Sequence, residues 1–265
     1  MTVFAHPPAI LQLLAHQVRW QIVMALARSD RRGQELVQLL QRPQNLISYH
    51  LKRLLTNKVV KEQRSAADGR DVYYSLDLNQ VRHLYTEGGQ AIHPALSEPV
   101  AGPDADAAAR QLQRPLRVLF LCTHNSARSQ MAEAILRRLG GGQVEAHSAG
   151  TEPSEIHPLA RETMLARGLP MDGQRSKHLS ELRSQKFDYI VTVCDLARET
   201  CPIFPGDPEQ IHWSFPDPAA VEEPHARRRA FERTATELTT RINHLLLLIN
   251  RQRQVGRPRT SAKDA

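Results

Sequence analysis

Apolar residues in the first part of the chain recur at spacings of three and four. Ile10, Leu13, Leu14, Val18 and Ile22 form one series, Leu36, Leu39 and Leu40 a second, and Leu46, Ile47, Leu51, Leu54 and Leu55 a third. That period puts each series on one face of an amphipathic helix. From Gly33 to Leu55 the pattern reads helix, turn, helix: Pro43 cannot continue the first helix, and Asn45 is the expected cap of the second. Val59–Arg64 and Val72–Leu76 carry β-branched and aromatic residues and are joined through Asp68-Gly69, a dipeptide suited to the positive φ angles of a tight hairpin. A further helix is expected from Leu78 to Gln90.

Periodicity then lapses from His93 to Pro115, where four prolines stand among Ala, Asp and Ser. Beyond it, strand and helix patterns alternate. Arg117–Leu121, Val144–Ser148 and Tyr189–Val193 read as short buried strands, and Ser129–Leu139, His157–Arg167 and Pro224–Asn250 as helices, the first two stopped by Gly140 and Gly168. Such alternation predicts an α/β domain with a parallel sheet flanked by helices. The expected organisation is therefore two domains: a mostly α domain over 1–92, a linker over 93–114, an α/β domain over 115–250, and a basic, disordered tail over 251–265.

A chain of 265 residues can bury two cores without disulfides, so its three cysteines, all after position 121, are expected to do chemistry. No run approaches the roughly 20 apolar residues that span a bilayer, and the N-terminus lacks a signal-peptide pattern, so a cytoplasmic protein with no membrane partner is expected. Reduced thiols suit that compartment. The net charge of +7 gathers at the two ends of a near-neutral middle, which points to a polyanion partner for the ends. The histidines His6, His16, His83 and His93 have no metal-ligand spacing, and no metal site is expected.

The strongest chemical signal is Cys122-Thr123-His124-Asn125-Ser126-Ala127-Arg128-Ser129, between an expected strand and an expected helix. A loop of small residues at a helix N-terminus can turn its backbone N–H groups inward, where with the helix dipole they cradle a tetrahedral oxyanion. Arg128 can clamp that anion through two bonds, and Ser129 can donate to the sulfur. The same field is expected to lower the Cys122 pKa from about 8.5 toward the range of roughly 3.5 to 7.5.

This loop resembles the C-x5-R-S signature of the low-molecular-weight tyrosine phosphatase fold, used by phosphatases and by thioredoxin-coupled arsenate reductases. The segment Cys194-Asp195-Leu196-Ala197-Arg198-Glu199-Thr200-Cys201 is similar to the reductases' redox segment. His212-Trp213-Ser214-Phe215-Pro216-Asp217-Pro218-Ala219 resembles the family's acid loop, with Asp217 matching the general acid and Ala219 where a phosphatase usually has an aromatic residue. The resemblance implies arsenate as substrate, thioredoxin as electron donor, no tightly bound cofactor, and a relay from Cys122 through Cys194 to Cys201. Bridged cysteines normally lie within about 7 Å between Cα atoms, so residues 195–200 are expected to move during the cycle. Some relatives bind potassium beside the loop. Asn125, Glu133 and Ser148 stand at suitable places for such an ion, but Lys177 and His178 occupy the neighbourhood of the remaining ligand, which counts against a monovalent cation.

In the first domain, Gln44 to Leu54 and the stretch Asp71 to Leu76 resemble the ArsR family of dimeric winged helix-turn-helix repressors. That resemblance implies a homodimer on double-stranded DNA. Gln44, Asn45, Ser48 and Tyr49 would meet base edges, Lys52 and Arg53 phosphate, and Arg70 phosphate or a minor groove. Many members sense arsenite through cysteines before the recognition helix, and here Gly33–Leu40 has none. The tail resembles an AT-hook peptide only through Gly256-Arg257-Pro258-Arg259. Two other readings stay open: a tyrosine phosphatase fused to a regulator, for which Cys194 and Cys201 have no use, and an arsenic- or redox-sensing repressor with little turnover.

Overall fold

The computed structural model describes residues 7–67, 69–93, 96 and 115–255. The linker expected over 93–114, except His93 and Leu96, lies outside the described residues. So do Asp68 of the hairpin turn and the tail beyond Val255. The chain divides into two compact units, residues 1–101 with 211–214, and residues 102–210 with 215–265.

The first unit contains α1 (Ala9–Leu14), α2 (Gln17–Leu26), β1 (Arg31–Arg32), α3 (Gly33–Leu40), α4 (Gln44–Thr56), β2 (Val60–Arg64), β3 (Val72–Leu76) and α5 (Leu78–Ile92). Its core is built from the apolar stripes: Ile10, Val18, Ile22, Leu36, Ile47, Leu51 and Leu54 are buried together. Burying each such side chain is worth about 2 kcal/mol, more than the roughly 1 kcal/mol of a helix cap, so the stripes and not the caps decide where these helices pack. The expected cap at Asn45 is displaced. Pro43 is the N-cap of α4, the helix starts at Gln44, and Asn45 lies inside it with its side chain accepting from Leu46 N–H. Proline fits there because the first N–H groups of a helix have no partner within it. The strands form an antiparallel sheet in the order β1-β3-β2.

The second unit contains β4 (Leu116–Cys122), α6 (Arg128–Leu139), β5 (Val144–Gly150), α7 (Pro158–Ala166), β6 (Tyr189–Thr192), α8 (Asp195–Glu199), the first two residues of β7 (Glu209–His212) and α9 (Pro224–Val255), and the four strands form a sheet in the order β5-β4-β6-β7. The central strand β4 pairs in parallel with β5 and β6. Val118, Leu119, Phe120 and Leu121 are all buried, as expected for a strand covered on both faces. The α/β class expected for this half is observed. Register sets Cys122 opposite Gly150 and Leu121 opposite Thr192, so β4, β5 and β6 end level, and the loops that follow them share one edge of the sheet. Helix α9 runs on to Val255, past Asn250, so the basic segment begins as helix and not as the disordered tail expected from 251. Among the described residues, no helix is long and apolar enough to cross a membrane.

Candidate active site

The loop after β4 is shaped by what its carbonyls do. Those of Thr123, His124 and Ser126 accept from the N–H groups of Glu152, Ser154 and His157, and that of Asn125 accepts from Ser176 Oγ at 2.7 Å. In a trans peptide the C=O and the next N–H point in opposite directions. Pulling these carbonyls outward therefore turns the N–H groups of His124, Asn125, Ser126 and Ala127 toward the inside of the loop. Asn125 N–H reaches Cys122 Sγ at 3.0 Å. The turn needs a left-handed residue at Asn125 (φ 46°), a conformation Asn tolerates better than most residues. It also needs bare backbone at Gly150, where a Cβ would lie 2.4 Å from the Thr123 carbonyl oxygen and 2.9 Å from Asn125 N.

Helix α6 starts at Arg128 with Ala127 as its N-cap and no capping side chain, so its first N–H groups face the loop. The first turns of this helix are buried and polar: Arg128, Ser129, Gln130 and Glu133 are all sequestered. Ser129 Oγ lies 2.8 Å from Cys122 Sγ. Arg128 reaches into the acid loop, where Nη2 is 2.9 Å from Asp217 Oδ2 and Nη1 donates to the Phe215 carbonyl at 3.0 Å. Asp217 caps a short 3-10 turn, Pro218–Ala220, accepting from Ala219 N–H through its other oxygen. A carboxylate thus stands against Arg128, the residue expected to clamp a bound oxyanion.

All three cysteines are free. Cys194 is buried, and its Sγ lies 3.4 Å from Thr123 Oγ1, so one hydroxyl links the two loops. It is the N-cap of α8, accepting from Ala197 N–H. Cys201 lies beyond the C-cap Thr200 and is half-buried, and burial pushes its thiol up. The lowered Cys122 pKa expected from the loop is not found in this arrangement. Burial pushes the thiol up and the neighbouring Cys194 adds to that, against the opposing pull of Arg128, Ser129 and Asn125 N–H. Burial is thus the principal cause, and the Asp217 carboxylate paired with Arg128 sets a negative charge against the cation near the sulfur.

The structure thus brings together Cys122, Thr123, Asn125, Ala127, Arg128, Ser129, Cys194 and Asp217. His124 faces outward, with Nδ1 3.1 Å from the Glu152 carbonyl. Cys201 stands apart, with its Sγ near the Pro202 carbonyl. In the other unit, Gln44, Asn45, Ser48, Tyr49, Lys52 and Arg53 are exposed on α4, with the Arg53 guanidinium 5.6 Å from the Tyr49 ring centre, and Arg70 is exposed between β2 and β3. Residues that sequence reasoning missed are Gly150, Gln130, Gln174 and Ser176. Gln130 donates to Asn125 Oδ1 and is held by Gln174. The signal for Gly150 was its place at the end of a strand. Nothing in the spacing of the glutamines marked them. Among the described residues, no group of three or more His, Cys, Asp or Glu could hold a metal ion.

The family model described as low molecular weight phosphotyrosine protein phosphatase matches residues 117–255. An arsenate reductase of Halalkalibacterium halodurans is 37% identical over 126 residues, which is 47% of this chain and 91% of that protein. One from Brevibacillus brevis is 38% identical over 125 residues, 47% of this chain and 90% of that one. Among solved structures, an arsenate reductase from Archaeoglobus fulgidus is 30% identical, with 48% of this chain and 98% of that chain covered at a TM-score of 0.39.

Proposed function

The chain belongs, through residues 117–255, to the low molecular weight phosphotyrosine protein phosphatase family, and from that premise we propose that it reduces arsenate to arsenite with Cys122, Cys194 and Cys201, drawing electrons from thioredoxin. The observation that carries this reading is the second buried thiol, Cys194, linked to the Cys122 loop through Thr123 Oγ1. A hydrolase needs only one thiol there. The arsenate reductase names of relatives above 30% identity support it further.

The chemistry follows from the geometry. Arsenate enters the loop and takes Arg128 from Asp217. Cys122 Sγ then attacks arsenic(V), forming an S–As bond, while Asp217, once protonated, hands its proton to the departing oxygen, which leaves as water. Cys194 thiolate attacks Cys122 Sγ. The S–As bond breaks with its electron pair on arsenic, so arsenite departs and a Cys122–Cys194 disulfide remains. Cys201 displaces Cys122 from Cys194, and a thioredoxin dithiol reduces the resulting Cys194–Cys201 disulfide. Two electrons pass at each exchange. Along the axis of α8, a separation of seven residues corresponds to roughly 10 Å, more than a disulfide allows, so α8 unwinds before the last bridge forms.

The test is arsenite production from arsenate with thioredoxin, thioredoxin reductase and NADPH, beside Cys122→Ser, Cys194→Ser and Cys201→Ser. Turnover that needs all three thiols is expected. Phosphate-ester hydrolysis that needs only Cys122 would make the protein a phosphatase, and neither activity would leave a sensor.

For the first unit we propose an ArsR-like winged helix-turn-helix that binds double-stranded DNA as a homodimer. The polar, exposed face of α4, opposite buried Ile47, Leu51 and Leu54, supports it. Binding measured by fluorescence anisotropy on selected duplexes should weaken across all sequences in Lys52→Ala/Arg53→Ala, with a shallower salt dependence. An unchanged salt slope would remove these residues from the interface. With no cysteine in this unit, any response to arsenite is expected to vanish in a variant lacking all three thiols. Release that persists there would sink the coupling.

A further inference from the structure

The acid of the proposed reaction stands on a loop whose first half is held apart from its second. Ile211–Ser214 belongs to the first compact unit, and Phe215 and Asp217 to the second. Within the first unit, the connection between α2 and β1 grips that segment by its backbone. The N–H of Asp30 donates to the His212 carbonyl at 2.8 Å. The N–H of His212 donates to Ser29 Oγ at 2.9 Å, and that of Ser214 to Asp30 Oδ2 at 2.8 Å. Strands β2 and β3 add to the grip: Gln63 Nε2 donates to Ser214 Oγ at 3.2 Å, and the Tyr73 ring centre lies 4.8 Å from that of His212.

Asp30 is 2% exposed and Ser29 5%. A buried polar side chain costs free energy unless it is bonded, and these two meet that demand on the backbone of residues 212 and 214. Out of water such bonds keep their geometry and strength. From Ser214 to the acid is a short piece of chain, so the two lie no more than roughly 11 Å apart along the backbone. The link is also stiff. The ring of Pro216 fixes its φ, and Phe215 is fully buried, with its carbonyl accepting from Arg128 Nη1 at 3.0 Å. Few torsions are left to absorb a change at Ser214 before it reaches Asp217. A misplacement of about 1 Å at a reacting group can cost on the order of 10² in rate.

We infer that Ser29 and Asp30 are positioning residues for Asp217, so that a turn of the first unit aligns the proton transfer to the departing arsenate oxygen. They act through the loop and not on the substrate. The inference rests on the reading of Asp217 as the acid. It goes beyond that reading by giving the first unit a part in the reduction itself, separate from any binding to DNA.

The test is a double-mutant cycle read in single turnover on the full-length protein. Arsenite release is followed from the reduced enzyme across a range of arsenate concentrations, without thioredoxin, so that regeneration does not mask the step. Asp30→Ala is expected to lower the saturating rate about 10- to 100-fold. The half-saturating arsenate concentration should stay the same or fall, because a slack Asp217 competes less for Arg128. In an Asp217→Asn background the same substitution should cost less than about twofold, since the group it aligns no longer has an acidic proton to give. Asp30→Asn keeps an oxygen acceptor for the Ser214 N–H and should recover most of the rate. Equal losses in the two backgrounds would make Asp30 a support of the fold alone and overturn the inference. A wild-type rate in Asp30→Ala, or a loss confined to arsenate affinity, would overturn it as well. Should Asp30→Ala fail to fold, Ser29→Ala removes the acceptor of the His212 N–H alone. It is expected to slow release about three- to tenfold and enters the same cycle with the same outcomes. An Asp217→Asn variant as fast as the wild type would instead undo the reading of Asp217 as the acid, on which the inference stands.

Discussion

The two segments that carry thiols are built in opposite ways. The loop from Cys122 to Ser129 is pinned on every side: four of its carbonyls are held from outside, Asn125 is anchored through both ends of its amide, and Gly150 fits against it without room for a methyl group. The segment from Cys194 to Cys201 holds a helix of five residues, with Leu196 in it and Ile203 just beyond the segment exposed. The difference teaches what each stage demands. Holding an oxyanion for attack requires groups fixed to fractions of an ångström, because preorganised dipoles act without reorganising. Passing a disulfide between thiols requires atoms that travel, and a helix of little more than one turn melts at little cost.

The comparison can be broken most severely at Arg128. Arg128→Lys keeps the charge but loses the fork, and is expected to lower arsenate turnover by about 10² to 10³ in the thioredoxin-coupled assay. Turnover within tenfold of wild type would mean that the loop does not depend on its clamp. Next comes Gly150→Ala, which pushes on the Thr123 carbonyl and should cost about 10² in turnover, with circular dichroism little changed. An active Gly150→Ala would show that the loop yields more than its hydrogen bonds imply. A third test follows protonation. Because burial and Cys194 hold the Cys122 thiol up, its alkylation should grow with rising pH, with a midpoint above that of an ordinary thiol. Asp217→Asn frees the full charge of Arg128 toward the sulfur and should move that midpoint down while slowing turnover, whereas an upward shift would refute the part assigned to the ion pair. Hydrogen exchange then contrasts the two segments directly. Residues 195–200 should lose protection on oxidation while 122–129 keep theirs, and equal protection of 195–200 in both states would rule out unwinding. The smallest effect is expected from Leu196→Gly at an exposed helical position, which weakens α8 by about 0.8 kcal/mol and should speed formation of the Cys194–Cys201 bridge up to about fourfold in single turnover.

Much of this was legible in the chain, for physical reasons that differ between the halves. Val118 to Leu121 announced a covered parallel strand because burial on both faces leaves no polar position, and the Cys122 to Ser129 loop could be placed because strand, small residues and helix follow one another. Asn45 was misjudged as a cap because Pro43, one residue before the helix, already satisfies the geometry. The Cys122 shift was misread for a deeper reason. A loop sequence displays the groups that lower a thiol's pKa, but burial, a thiol from another strand and a carboxylate from a loop far along the chain are tertiary facts. Gln174 was invisible as a support for the same reason, since its partner Gln130 lies 44 residues away.

The Asp217 carboxylate on Arg128 also has a kinetic meaning. A site whose clamp is already occupied by one of its own side chains carries a competitive inhibitor that can never be diluted away. Every oxyanion that enters must out-compete it, so apparent affinity falls by the fraction of molecules in which the clamp is open. Anions that grip Arg128 weakly are turned away by that handicap, while one that goes on to form a bond with sulfur escapes it through the chemistry that follows. The internal carboxylate thereby trades tight binding for a filter on which anions stay long enough to react.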